Sequence, residues 1–180
     1  MISPADENVN TITDKAVDTA LDTIKQFCFA RQISVAVAES VSSGFLQVLF
    51  SSAKEAGLFF EGGITTYSCD QKNRHLEIPS DICDPCNGVA VEIAQRMALK
   101  VCDVFGSKIG LALTGYASPI PEQNIHDLFA YGAVALNGKV VFSDKLVSVK
   151  DNPDEIREDY AKMLMVACAK VLQADAMSGL

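Results

Sequence analysis

The stretch VAVAESVSSG, residues 35–44, changes character half-way along. Val35, Ala36, Val37 and Ala38 form an apolar run with two β-branched members, too short for a helix and typical of a strand buried on both faces. The run stops on charge at Glu39 and Ser40. Ser42 and Ser43 then precede the apolar positions Phe45, Leu46, Val48, Leu49 and Phe50, which predicts a serine N-cap followed by a helix. A serine between a strand end and a helix start lies among backbone N–H groups at the positive end of a helix dipole. That is a natural place for an anion or a developing oxyanion.

Working outward, a second stretch, GGITTYSCDQKNRHL, covers residues 62–76. The spacing predicts a strand over 56–66, opened by Leu58, Phe59 and Phe60. Gly62 and Gly63 interrupt it, as at a bulge or where another group approaches the backbone. Ser68 can cap a short helix from Cys69 to Leu76, which carries Lys72 one turn beyond Tyr67. Upstream, Ala16, Val17, Ala20, Leu21, Ile24, Phe27 and Cys28 keep an i, i+3, i+4 rhythm, so a helix is expected over 13–30, then a strand over 33–38. Downstream, a loop over 79–87 holds the Cys-Asp-Pro-Cys pair, Cys83 and Cys86, and a long helix ends at Phe105 before Gly106. Ile109–Leu113 is a buried strand closing on Thr114 and Gly115, which repeats the Ser40 geometry. A polar loop over 117–127 follows. Asn137-Gly138 then joins two strands in a hairpin, and acidic residues open a last helix over 153–172.

Strands alternating with helices and closing on a hairpin predict an α/β fold: a single-domain layered sandwich with a mixed β-sheet flanked by helices. Residues 1–12 are expected to be a flexible tail and residues 13–175 the domain. A chain of 180 residues with 49% hydrophobic residues can build its own core, so neither metal nor disulfide is required for stability. The polar, acidic start lacks the pattern of a signal peptide. The six cysteines are therefore read as reduced thiols and the protein as cytoplasmic. No apolar run approaches a membrane span. The net charge of −8 argues against nonspecific nucleic-acid binding. Neither metal nor cofactor is expected, since one CxxC and two isolated histidines, His75 and His126, form no ligand set. A small-molecule nucleotide and further copies of the chain are the expected partners.

These segments, with LALTGYASP at 111–119, resemble the C-terminal domain family of the competence/damage-inducible protein CinA, whose stand-alone members include the nicotinamide mononucleotide (NMN) deamidases. The family's AESCTGG is matched by AESVSSG, its GGxxxYSxxxKxxL by residues 62–76, and its LAxTGxAGP by Leu111 to Pro119. The resemblance implies that Ser40, Lys72 and Tyr67 are catalytic. It also implies that Thr114, with Glu39, Ser42, Gly44 and Gly115 around it, binds substrate. This sequence departs from the family at Val41 for cysteine and at Ser43 and Ser118 for glycines, and the late arginine of the family's GDR-like segment before the last helix has no match, while Arg157 fits the later arginine.

Hydrolysis of a carboxamide needs a nucleophile, a proton acceptor, an oxyanion cradle and an acid for departing ammonia. Ser40 is the candidate nucleophile, and Lys72 its base if burial favours the neutral amine. Tyr67 would relay the proton or orient the amide, and Thr114 would hydrogen-bond the substrate. Residue type and spacing alone equally allow Ser40 as a helix cap, Lys72 as a surface lysine, Tyr67 as a core ring and Thr114 as a strand end. Glu39 reads as an acceptor of turn N–H groups or a partner for Lys72. Two functions follow: a metal-independent amidohydrolase of a pyridine mononucleotide, taking NMN to nicotinate mononucleotide and ammonia, or a catalytically weakened relative that binds a nucleotide or a protein.

Overall fold

Side-chain size divides the two faces of the central sheet. Along β1 (Val35–Glu39), Val35 and Val37 point into one core and Ala36 and Ala38 into another, as the two-residue period of a strand requires. β3 (Ile109–Gly115) repeats the division, with Ile109, Leu111 and Leu113 on the first face and Gly110 and Ala112 on the second. β4 (Ala130–Leu136) again places Val134 and Leu136 opposite Ala133 and Ala135. The structure is a computed structural model that describes residues 12–178.

With β2 (Phe60–Thr65) and β5 (Lys139–Leu146), these strands form one five-stranded sheet in the order β2-β1-β3-β4-β5. β1 pairs in parallel with β2 and β3, whereas β4 runs antiparallel to β3 and β5. Three helices, α1 (Asp14–Arg31), α2 (Phe45–Ser51) and α6 (Pro153–Ser178), cover the large-residue face. The other face takes α3 (Cys69–Leu76), α4 (Ser80–Cys83) and α5 (Val91–Phe105). The small residues of that face let α5 approach the sheet backbone closely. A Cβ on Gly110 would run into the Ala98 carbonyl of α5 and come within 2.7 Å of Cys102 Sγ.

The expected α/β sandwich with a mixed sheet is the observed fold, in a single domain. Where details differ, turns replace regular structure. Ala56–Leu58 is a single 3₁₀ turn, and the second strand starts at Phe60. The loop over 79–87 contains α4 and a 3₁₀ turn at Asp84–Cys86, because Pro79 opens a helical turn and Pro85 tolerates one. The 117–127 loop closes on itself through a bridge between Ile120 and Ile125 around a 3₁₀ turn, Pro121–Gln123. The glycine pair behaves as expected. The register against β1 shifts beside Glu61, and a Cβ on Gly63 would meet Val37 and Gln47. The predicted hairpin turns on Asn137 and Gly138, with φ of 51° and 76°, as a type I′ turn needs. Of the expected tail, residues 1–11 lie outside the described residues, while Ile12 packs against the core.

One expectation is corrected. The cysteines are not all free thiols: Cys69, the first residue of α3, is disulfide-bonded to Cys83, the last of α4. The CxxC spacing points to the wrong pair, because Cys86 lies beyond the α4 turn and stays free while tertiary packing sets two helix ends 5.7 Å apart at Cα, within disulfide range. Cys28, Cys102 and Cys168 are buried thiols. Burial pushes the Cys28 thiol up to about 12, so it behaves as a small apolar group.

Gly110→Ala is expected to destabilise the fold by roughly 3 kcal/mol or more, beyond ordinary overpacking, because the obstacle is helix backbone. Gly138→Ala meets nothing within 4 Å and carries only the cost of its left-handed backbone, about 1 kcal/mol. Urea unfolding midpoints of the two variants check the order.

Candidate functional site

The carboxyl ends of β1 and β3 lie side by side, with Glu39 paired to Leu113, so the Ser40 and Thr114 turns share one edge of the sheet. The Ser40 N–H donates to the Leu113 carbonyl at 2.9 Å, which extends the ladder one residue into the turn. Beyond it the chain must reverse into α2, and Glu39 holds that reversal. The Glu39 side chain is fully buried. Its Oε2 accepts from Ser42 Oγ at 2.6 Å, Gly44 N at 2.9 Å and Leu46 N at 3.1 Å, and its Oε1 accepts from Gln47 N at 3.0 Å.

The expected serine N-cap is therefore corrected. Gly44, at φ 113°, is the N-cap, without a side-chain cap bond, and a carboxylate reaching from the preceding strand satisfies the first N–H groups of α2. Ser43 takes φ 51° where the family pattern has glycine. Its Oγ donates to the Ser40 carbonyl at 3.3 Å, which ties the left-handed residue down.

Lys72 approaches Ser40 from the opposite side. Ser68 caps α3, its Oγ accepting from Gln71 N, and the helix points Lys72 inward with 2% of it exposed. Lys72 Nζ lies 3.0 Å from Ser40 Oγ and donates to the Thr66 carbonyl at 2.9 Å. Burial pulls the Lys72 amine down from 10.5 to about 8, opposed by the nearby Cys86 thiol. A neutral amine that gives one hydrogen to Thr66 can turn its lone pair to the Ser40 hydroxyl, so the pair has the geometry of a nucleophile and its base.

The remaining predicted residues separate. Ser40, Tyr67 and Gly115 line a cleft of about 260 Å³, together with Val41, Asn87, Val89, Tyr116 and Arg157. Tyr67 is 70% exposed and follows Thr66, whose carbonyl accepts from Lys72. Thr114, Glu39, Ser42 and Gly44 are not among the residues that line the cleft. Thr114 Oγ1 donates to the Gly88 carbonyl at 2.6 Å, and the other three form the Glu39 network, since buried polar groups require internal partners. Gly115 also gives β4 room, because a Cβ there would strike Phe129 O and Ala130.

Sequence reading missed Thr66, Asn87, Gly88 and Tyr116. A Cβ on Gly88 would stand 3.3 Å from Lys72 Nζ, so glycine is what lets the amine settle there. The consecutive left-handed residues Asn87 and Gly88, at φ 51° and 69°, were the available signal for a tight turn at this point. Asn87 Nδ2 donates to Gln123 Oε1 at 3.0 Å and to Tyr116 Oη at 3.4 Å, which ties one wall of the cleft together. A larger groove of about 580 Å³, lined by Cys28, Gln32, Glu61 and Lys108 among others, lies at the amino ends of the parallel strands and contains no nucleophile–base pair. Chemistry rather than size selects the smaller cleft. Among the described residues no group of three His, Cys, Asp or Glu could hold a metal ion, and no helix is long and apolar enough to cross a membrane.

The family model for the CinA C-terminal domain matches residues 17–172. A CinA-like protein of Chlorobium chlorochromatii is 32% identical over 145 residues, which is 78% of this chain and 34% of that protein. A CinA-like protein of Cytophaga hutchinsonii is 25% identical over 161 residues, covering 87% of this chain and 36% of that one. The chain thus spans about a third of the length of these curated relatives. Among solved structures, a competence-damaged protein (CinA) superfamily protein from Enterobacter cloacae superposes with a TM-score of 0.81 at 20% identity, over 96% of this chain and 99% of that one. The competence or damage-inducible protein from Enterobacter asburiae gives 0.79 at 17%, over 87% and 98%.

Glu39→Gln replaces one acceptor oxygen by an NH₂ group facing backbone N–H donors. The expected cost is about 1–3 kcal/mol of stability, with loss of hydrogen-exchange protection concentrated at Gly44, Leu46 and Gln47. Denaturant unfolding and amide exchange check both parts.

Proposed function

The chain belongs to the CinA C-terminal domain family, and on that premise we propose that it is a metal-independent amidohydrolase of a pyridine mononucleotide, converting NMN to nicotinate mononucleotide and ammonia. The observation that carries the reading is the 3.0 Å contact between Ser40 Oγ and a buried lysine amine. A lysine at its ordinary pKa of about 10.4 is a poor proton acceptor near neutrality. Lowered to about 8, Lys72 is neutral in roughly a tenth of molecules at pH 7 and in half of them one unit higher.

In the proposed reaction Lys72 takes the hydroxyl proton as Ser40 Oγ attacks the carboxamide carbon. The Val41 N–H, from the residue after the nucleophile at the cleft wall, would receive the developing oxyanion in this reaction. The Lys72 ammonium then returns the proton to the amide nitrogen, which leaves as ammonia. Water attacks the acyl-serine, again with Lys72 as base, and releases the acid. The exposed Tyr67 ring is suited to a positively charged pyridinium through its π face, which assigns it to substrate contact rather than proton relay. Arg157 lines the same cleft and pairs with the exposed Asp154 at 2.7 Å. It supplies the local cation that a phosphate needs in a chain of net charge −8. The cleft volume is at the small end for ligand sites, which suits a mononucleotide better than a dinucleotide.

Ser40→Ala and Lys72→Arg are each expected to lower ammonia release from NMN by about 10² to 10⁴-fold, the latter because a guanidinium cannot accept the serine proton. The sign of the pH dependence follows from the base: activity rises with pH through a midpoint near 8. Tyr67→Phe should leave kcat within a few-fold. Coupled ammonia assays across pH check all three. Wild-type protein that binds NMN without releasing ammonia would replace this reading with that of a nucleotide-binding relative.

A further inference from the structure

Resting on the proposed role of Lys72 as base, we infer that the Cys69–Cys83 disulfide is a thiol–disulfide exchange site for a dithiol reductant, whose opening sets a thiolate against Lys72 and holds its amine protonated. Three observations place it there. Cys69 and Lys72 are three residues apart on α3 and so share a helix face. An ideal Cβ on Gly88 would stand 3.3 Å from Cys69 Sγ, 3.3 Å from Lys72 Nζ and 3.4 Å from Cys83 Sγ. Both sulfurs and the amine therefore surround one point, and Cys69 Sγ and Lys72 Nζ can be no farther apart than twice that distance. Finally, Cys69 is partly exposed whereas Cys83 is fully buried, which makes Cys69 the partner nearer to solvent for an incoming thiolate.

The exchange balances as two steps. One thiolate of the dithiol attacks Cys69 Sγ, forming a mixed disulfide and expelling the Cys83 thiolate, which takes up a proton. The second thiol of the reductant then attacks its own sulfur in the mixed disulfide, closing a ring disulfide and releasing Cys69 as a thiolate. The reductant gives up two electrons and two protons, and the protein gains two sulfhydryl groups. The proton of Cys69 passes to the Lys72 amine, because each charge stabilises the other where neither is well solvated.

Other titratable groups around Lys72 leave room for this effect. Cys86, from the turn after α4, donates its thiol to the Cys83 and Ile82 carbonyls and acts on Lys72 in the same direction. Glu39, one residue before Ser40, turns its carboxylate into the start of α2. In the disulfide form the sulfur facing Lys72 is uncharged, and the amine can lose its proton. In the dithiol form it meets an anion, and Ser40 loses its base. Reduction thus switches the pair off at neutral pH without moving either residue out of place.

The test reads Lys72 directly. Acylation of Lys72 by a small amine-reactive ester, followed by peptide mass spectrometry across the neutral to alkaline range, is compared for the disulfide protein and for protein treated with dithiothreitol, alongside ammonia release from NMN. The expected result is an upward move of the Lys72 midpoint by about 1 to 3 pH units on reduction, with turnover near neutrality falling at least about tenfold. The Cys69→Ala/Cys83→Ala double variant, which has neither thiol at that point, should keep the midpoint of the disulfide form and ignore dithiothreitol, and Cys86→Ser should retain the shift. A Lys72 midpoint unmoved by reduction overturns the inference, and so does the Cys69→Ala/Cys83→Ala double variant behaving like reduced wild type, since loss of the tether would then be the cause. A shifted midpoint in a protein that releases no ammonia in either state upholds the exchange site and removes the amidohydrolase reading alone.

Discussion

A buried carboxylate held by hydroxyl and backbone N–H donors organises the working edge of this protein. Glu39 reaches from the end of β1 to the Ser42 hydroxyl and three backbone N–H groups at the start of α2. A buried charge is tolerable only when its lone pairs are occupied, and here the chain must bend in one way to bring those donors round. The bend places Ser40 at the cleft with its own N–H fixed on β3. It also absorbs two left-handed residues in succession, Ser43 and Gly44. Serine in such a conformation costs on the order of 1 kcal/mol, and the bond from Ser43 Oγ to the Ser40 carbonyl offsets part of it.

Lys72 is also buried and is handled in the opposite way. Glu39 is surrounded by donors, whereas Lys72 finds one hydroxyl and one carbonyl. The lowered pKa, about 8 against 10.5, means that keeping this amine charged in place costs on the order of 3 kcal/mol. The cost is present below about pH 8 and fades as the pH rises toward the unfolded value. Such a site is held by the frame around it, here α3 capped by Ser68 and anchored to α4, with Gly88 giving room. A base that is easily deprotonated and a lysine that is expensive to bury are the same physical fact.

The asymmetric sheet makes this frame possible. An alanine and glycine face draws α5 close to the backbone of β1 and β3, while the opposite face accepts the larger side chains beneath α1 and α6. α3 and α4 occupy the small-residue side beyond the strand ends. A lysine on α3 therefore reaches the end of β1 over a distance that a bulkier layer would have lengthened.

Much of this was legible along the chain. Apolar runs broken by Glu39-Ser40 and Thr114-Gly115, a 3.6-residue rhythm ending at Gly106 and an Asn-Gly turn determine strand, helix and hairpin locally, because each depends on neighbours within a few residues. These patterns sufficed for the layered α/β sandwich and for Ser40 at its carboxyl edge. Which hydroxyls face the cleft was decided elsewhere. Thr114 and Ser42 carry the same chemistry as Ser40, yet packing turns them to Gly88 and Glu39, partners that spacing alone does not single out. The pairing of Cys69 with Cys83 rather than Cys86 with Cys83 is likewise tertiary, for it depends on two helix ends meeting. Sequence determined the elements through short-range periodicity, whereas burial and the pairing of polar groups, both sums over neighbours distant in the chain, decided which residues form the site.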